Sequence, residues 1–283
     1  MTACWSSRRE VADGDHRPST DDQTTLIRVP LPASNPRRSR YRGPVTVIDE
    51  CVRLLGADRV RHHPLDLAIF AKDAGVRSGP VLAAVFPETT SEVASLVALA
   101  NKYGVPVVAR GAGTGLAGGE VSIDPVMLIV HTRLNQVEDI DLVGATAWVG
   151  PGVINLDLSN QLEPFGYHFA PDPSSQQACT IGGNVGTNAG GPHCLADGTT
   201  VAHVLAAELV TSDAEVITVG GEVPDAPGLD LRAVVVGSEG THGSVTRVLV
   251  RLSPNPPAVS PLLFGFPSVS EAAAMGSGVI GAG

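Results

Sequence analysis

The 283-residue chain carries 29 Asp and Glu against 19 Lys and Arg, and a formal net charge of −10 at pH 7 argues against a nucleic-acid partner. Hydrophobic residues make up 43% of it and aromatic residues only 4%, so a core must be built from Ala, Val and Leu, while 32 glycines and 22 prolines call for many turns and backbone-lined surfaces. No apolar run is long enough to span a membrane, the first residues lack a signal-peptide core, and Cys4, Cys51, Cys179 and Cys194 stand far apart without a CxxC, which points away from a metal site or disulfide framework and toward a reducing cytoplasm.

Residues 1–44 read as a disordered leader, rich in Arg, Asp, Ser, Thr and Pro and without apolar periodicity. The basic run Arg37–Arg42 inside it reads as a solvated tail in preference to a phosphate or membrane-surface contact. From Val45 the pattern turns globular. Val47, Ile48, Cys51, Val52, Leu54 and Leu55 form a helical stripe that Gly56 can end. His62-His63-Pro64 has no third metal ligand nearby and reads as a surface loop. Val81–Val85 predicts a strand. Thr89 and Glu92 have capping-box spacing, and Val93, Leu96, Val97 and Ala100 then recur at helical intervals up to Gly104.

Predicted strands Val105–Ala109 and Val126–His131 flank Arg110-Gly-Ala-Gly-Thr-Gly-Leu-Ala-Gly-Gly119, half of it glycine. Such a loop exposes N–H groups with no Cβ in the way, so an anion can lie against the main chain. The letters Gly113-Thr-Gly115-Leu-Ala-Gly118 match G-x-G-x-x-G, but no helical pattern follows them. A Rossmann turn needs that helix. The loop therefore reads as a pyrophosphate cradle without a helix dipole behind it, the alternative being a structural turn.

Ala145–Gly150 predicts a short strand, and Asn155 a cap for the helix carrying Leu156, Leu158 and Leu162. Ala170–Ser175 reads as a rigid turn. Cys179–Gly191 follows with five glycines and two asparagines and reads as a second backbone-rich surface without periodicity. Two such stretches suggest one long ligand lying against both, and a flavin dinucleotide has the length. Val204–Thr211 and Glu215–Val219 read as a hairpin. Leu229–Val236 is a short helix or a buried strand, Gly237–Gly243 a third glycine turn, Ser244–Leu252 an edge-type strand and Ser253–Pro257 a linker. Leu262–Phe266 predicts a strand and Ser268 caps a further helix.

With these motifs in view, residues 45–283 resemble the flavin domain of the vanillyl-alcohol oxidase / p-cresol methylhydroxylase superfamily, in the branch of glycolate oxidase D-subunits, D-lactate dehydrogenases and D-2-hydroxyglutarate dehydrogenases. The resemblance rests on Arg110–Gly119, Pro171–Ser175, Ile181–Asn184 with Asn188–Gly191, and Gly237–Gly240, in order and in register. It implies an α+β fold of two lobes, a small α/β lobe and a larger, mostly antiparallel one, with FAD between them. The implied domains are an FAD-binding domain at 45–258 and the beginning of a truncated substrate (cap) domain at 259–283. Arg110, Gly111, Ala112, Gly113, Thr114, Gly115, Gly118 and Gly119 would line the pyrophosphate. Pro171, Asp172, Ser174, Ser175, Gly182, Gly183, Asn188 and Gly191 would approach the flavin ring and ribityl chain, and Glu239, Gly240 and Val245 the adenosine. Thr114 stands where some relatives carry the histidine that attaches FAD covalently, so the resemblance implies non-covalent FAD.

The implied reaction is hydride removal from the α-carbon of a small 2-hydroxy acid, with reoxidation through a partner subunit or another electron acceptor. The carboxylate needs a cation and the hydroxyl proton a base. His193, beside Cys194, is the candidate catalytic group, the alternative being a loop histidine. His168 and His203 read as structural, Cys194 as a small hydrophobe, and His242 as a surface residue or an adenosine contact. Gly237-Ser-Glu-Gly240 fails as a nucleophile elbow because Val236 precedes it, and no Walker loop occurs. Three functions fit the sequence: an FAD-dependent 2-hydroxy-acid dehydrogenase, a flavin module completed by a partner chain, and a non-flavin α/β enzyme such as a nicotinamide dehydrogenase.

Overall fold

The structure, a computed structural model, describes residues 44–222 and 228–282. The expected leader lies outside the described residues apart from Pro44, which opens α1 (Pro44–Leu55). The chain continues through β1 (Val60–Arg61), α2 (Pro64–Leu67), β2 (Val81–Val85), α3 (Thr90–Tyr103), β3 (Val107–Arg110) and β4 (Val126–Val130). These make a four-stranded sheet in the order β1-β2-β4-β3, in which β2 and β3 run parallel to β4 and β1 runs antiparallel to β2. Every residue of β4 is buried, as expected of a parallel strand covered on both faces. Met127 and Ile129 pack with Val47 and Cys51 of α1 and with Leu96 and Ala100 of α3. Leu128 and Val130 pack on the other face with Leu67, Phe70 and Phe86. The α3 boundaries follow their local chemistry. Thr89 accepts the Glu92 N–H at 3.2 Å, Glu92 Oε2 accepts the Glu88 N–H at 2.7 Å, and Gly104 closes the helix at φ 66°.

The larger lobe contains β5 (Val137–Asp141), β6 (Thr146–Val149), α4 (Asn155–Leu162), β7 (Tyr167–His168), α5 (Ile181–Thr187), α6 (Cys194–Asp197), β8 (Val204–Val210), β9 (Val216–Gly220), α7 (Leu231–Val235), β10 (Ser244–Arg251), β11 (Ser253–Pro254) and α8 (Val269–Ala282). Five of its strands form an antiparallel sheet in the order β5-β6-β10-β8-β9. Leu158, Leu162, Ile181 and Val185 of α4 and α5 pack against Ala147, Val149, Val248 and Val250 of that sheet. The lobes share core and polar contacts. Val210 of β8 joins the hydrophobic cluster around α3, and Thr90 Oγ1 donates to Glu208 Oε1 at 2.8 Å.

Four local expectations change. Asn155 is the first residue of α4 and not its cap; it is buried, and Nδ2 donates to the Pro171 carbonyl at 2.9 Å. The stretch Cys179–Gly191 contains a helix, α5, although three of its seven residues are glycine. Thr180 Oγ1 caps it by accepting the Gly183 N–H, Asn188 ends it at φ 49°, and burial of Ile181, Asn184 and Val185 overrides the poor propensity. Strand β10 is central and not an edge, paired with β6 on one side and β8 on the other. The Arg247 side chain covers the Trp148 ring at 4.8 Å and pairs with Glu138 at 2.6 Å. Among the described residues, Leu262–Phe266 pairs with no strand; those residues are exposed and irregular, and α8 after them is largely solvent-facing. The open alternative at Leu229–Val236 resolves as helix α7, capped by Asp230.

Candidate functional site

Between β3 and β4 the chain from Gly111 to Pro125 makes no helix, as the sequence pattern predicts. Instead the glycine loop forms one wall of a cleft of about 810 Å³, counting its open mouth. The opposite wall comes from α5, through Gly182, Gly183, Gly186 and Thr187, and from the turn Ser238-Glu239-Gly240. Gly243 and Val245 at the start of β10, His131 after β4, and Pro151 complete it. Three turns far apart in sequence therefore converge on one space.

The glycines explain how the turns come so close. A Cβ on Gly111 would stand 2.6 Å from Thr180 Oγ1, one on Gly119 2.8 Å from the Glu239 carboxylate, and one on Gly182 2.6 Å from Pro151. Elsewhere the missing side chain keeps space open. A Cβ on Gly115 would meet nothing within 4 Å, and one on Gly186 only Glu239 Cα at 3.9 Å. Among the described residues, the Gly113, Thr114 and Gly115 N–H groups donate to no protein acceptor, and of the three only Gly115 lines the cleft. A flat or elongated anionic group thus fits a wall of main chain.

Of the residues singled out in the sequence, Arg110, Gly111, Gly115, Gly119, Gly182, Gly183, Glu239, Gly240 and Val245 line this cleft together. Ala112 lines a neighbouring hollow with Thr132, Asn135, Asp157 and Thr180. Gly113, Thr114 and Gly118 belong to the loop without lining the cleft: Gly113 lies under the Arg110 guanidinium, Thr114 is half-buried, and the Gly118 N–H donates to Asp73 Oδ2 at 2.9 Å. Pro171, Asp172, Ser174, Ser175, Asn188, Gly191 and His193 do not line it either. Asp172 is pressed against Gly191, where any Cβ would collide, and its Oδ2 lies 2.5 Å from His193 Nδ1. That hydrogen bond, with the carboxylate's charge, raises the His193 pKa, and the ring is otherwise exposed. Asn188 Oδ1 accepts the Val201 N–H and Ser174 is exposed.

Sequence reasoning missed three residues here, His131, Asp73 and Glu120. His131 is buried, its Nε2 lies 2.7 Å from Ser244 Oγ, and burial lowers its pKa to about 4, so it is neutral at pH 7. Asp73 and Glu120 line the cleft as acids. Burial raises the Glu120 pKa in spite of Arg110, whose Nη1 lies 2.9 Å from Glu120 Oε2 in a charge contact that lacks hydrogen-bond geometry. A signal was present for this pair, since the two charges bracket the glycine loop in sequence. For His131 the signal was a histidine ending an otherwise wholly apolar run.

A small, mostly parallel sheet and a five-stranded antiparallel sheet beside a glycine-lined cleft define the p-cresol methylhydroxylase type of flavin-binding fold. The fold is shared with an alkyldihydroxyacetonephosphate synthase (TM-score 0.69, 22% identity, covering 78% of this chain and 42% of that one). It is shared also with p-cresol methylhydroxylase with substrate bound (TM-score 0.67, 20% identity, covering 78% and 45%). Residues 81–220 match the family described as FAD binding domain, and over that stretch the chain belongs to this family. It is 46% identical over 196 residues to glycolate oxidase subunit GlcD of Escherichia coli strain K12, covering 69% of this chain and 39% of the relative. It is 34% identical over 189 residues to a D-lactate dehydrogenase of Archaeoglobus fulgidus, covering 66% and 42%. It is 33% identical over 212 residues to a D-2-hydroxyglutarate dehydrogenase of Xanthomonas citri pv. viticola, covering 74% and 45%. The chain spans less than half the length of these curated relatives.

Proposed function

We propose that this chain is the flavin-holding part of an FAD-linked oxidoreductase that oxidises a small 2-hydroxy acid such as glycolate or D-lactate. The observation that carries the proposal is the convergence of the glycine loop, helix α5 and the Ser238–Gly240 turn on one cleft, with the Gly115 N–H there left without a protein acceptor. The loop glycines that line the cleft, Gly111, Gly115 and Gly119, would receive the diphosphate, Gly182 and Gly183 the flavin side, and Glu239, Gly240 and Val245 the adenosine side. When bound, FAD supplies the hydride acceptor. Thr114 offers no nitrogen for attachment, which supports non-covalent binding. His193, held by Asp172, is the group we assign to the substrate side; its imidazole can carry a proton near neutral pH.

A second form of the proposal makes the chain a flavin module completed by a partner subunit or by an electron acceptor. It is favoured by the name of the Escherichia coli relative, which describes a subunit. A cytoplasmic location belongs to the same proposal and rests on the free Cys51, Cys179 and Cys194; no helix among the described residues is long and apolar enough to cross a membrane.

Purification tests both forms. The expected result is a yellow chain with a flavin absorbance band whose pigment stays in solution after acid precipitation of the protein. Dye-linked turnover of glycolate or D-lactate then separates an active dehydrogenase from a module that needs its partner. A colourless chain that gains no flavin on incubation with FAD would remove the proposal.

A further inference from the structure

Arg110 opens the glycine loop and Glu120 follows its last residue, and the two side chains meet 2.9 Å apart. The Arg110 side chain is only 6% exposed. Its Nη2 donates to the Lys72 carbonyl at 3.0 Å, its guanidinium stands 5.9 Å from the Phe70 ring centre, and Gly113 at φ 77° is tucked so near it that a Cβ there would collide with the guanidinium. The residues after Lys72 hold the loop at further points. Asp73 Oδ2 accepts the Gly118 N–H at 2.9 Å, Asp73 Oδ1 accepts the Gly75 N–H at 2.8 Å, and the Ala74 N–H donates to the Gly115 carbonyl at 3.0 Å. Both ends and two interior points of the loop are thus tied to the Phe70–Gly75 segment or to each other by contacts within the protein.

We propose that Arg110, Glu120 and Asp73 form a brace that sets the glycine loop in its anion-receiving shape before any cofactor arrives, and that Arg110 acts by positioning the loop amides and not as a ligand of the diphosphate. This rests on FAD as the occupant of the cleft. A loop ordered in advance loses less conformational freedom on binding, and affinity rises accordingly. The two roles for Arg110 predict opposite signs at Glu120. If Arg110 binds the diphosphate directly, Glu120 competes for its charge and repels the ligand, so Glu120→Gln tightens binding. If Arg110 braces the loop, Glu120→Gln loosens it.

The test uses the full chain, with FAD affinity read by flavin fluorescence at several salt concentrations and amide hydrogen exchange over 111–119 read without FAD. Glu120→Gln, Arg110→Gln and Asp73→Asn are each expected to speed loop exchange in the apo chain. Each is expected to weaken FAD by about tenfold, the effect of losing one charge-assisted contact. The dependence of affinity on salt stays unchanged in Arg110→Gln. Tighter or equal FAD binding by Glu120→Gln would overturn the proposal, as would a shallower salt dependence in Arg110→Gln with loop exchange unaltered. Should Arg110→Gln fail to fold, Asp73→Asn leaves the ion pair in place and gives the same exchange readout. If wild-type chain takes up no FAD, the functional proposal falls while apo exchange still decides whether the brace exists.

Discussion

His131 Nε2 and Ser244 Oγ, 113 positions apart in the chain, lie 2.7 Å from each other in the wall of the cleft. His131 follows the last residue of β4 and Ser244 is the first of β10, so this hydrogen bond ties the parallel sheet of one lobe to the antiparallel sheet of the other. The imidazole is buried and must be neutral to stay there.

Acid should weaken the fold through this residue. Its folded-state pKa, about 4, lies below the ordinary 6.5, so the unfolded chain binds the proton more readily. Stability is then level above about pH 6.5 and falls as pH drops toward 4, by about 3 kcal/mol from this group at full effect. Glu120 works in the opposite sense, because its raised pKa makes the folded state gain a proton, and some stability, as pH falls through that range. Urea unfolding at pH 7.5 and 4.5 should show the net loss, and His131→Gln should reduce the difference between the two pH values.

Gly186 separates folding from cofactor uptake. It sits inside α5, and a Cβ there would meet only Glu239 Cα at 3.9 Å. Gly186→Ala is expected to stabilise the apo chain by up to about 1 kcal/mol through helix propensity. Gly186→Leu should keep the circular dichroism spectrum but lower FAD affinity at least about tenfold, because its side chain enters space the ligand needs. Thermal melts with and without FAD check both.

Asp172 should control the titration of His193. The 2.5 Å hydrogen bond to Nδ1 raises the imidazole pKa, so the pair contributes to stability at low pH and loses that contribution as pH rises through the folded value. In Asp172→Asn the His193 resonance should titrate at a lower pH than in the wild type. If His193 handles the substrate proton, the pH profile of dye-linked turnover shifts in the same direction while FAD content stays constant.

Thr180 does two jobs with one hydroxyl. Its Oγ1 accepts the Gly183 N–H at the start of α5 and is the atom Gly111 packs against. Thr180→Ala is expected to cost about 1 kcal/mol as a lost cap, measured by urea unfolding. Thr180→Ser, which retains the oxygen, should recover most of it.

The elements with strong local patterns were legible in the sequence. Thr89, Glu92 and Gly104 set α3, and the absence of any helical period after Gly119 correctly separated this loop from a Rossmann turn. Glycine content alone set the Arg110 and Gly182 stretches against one ligand, and these lie on one cleft; the Glu239 turn joined them in the sequence reading only through the family resemblance. What escaped depended on partners distant in the chain. Helix α5 forms against local propensity because Ile181 and Val185 are buried in the sheet core, and β10 is central because β6 and β8, both distant in the chain, pair with its two sides. The burial of His131 cannot be read from its neighbours, since Ser244 arrives from the other lobe. The expected strand at Leu262–Phe266 rested on composition alone, and composition provides no pairing partner.

Glycine supplies both faces of the space between the lobes, through Gly111, Gly115 and Gly119 on one side and Gly182, Gly183 and Gly186 on the other. A side chain at Gly111, Gly119 or Gly182 would collide with the facing wall, whereas one at Gly115 or Gly186 would enter the open space, so the first three set how near the walls stand and the other two how much room is left between them.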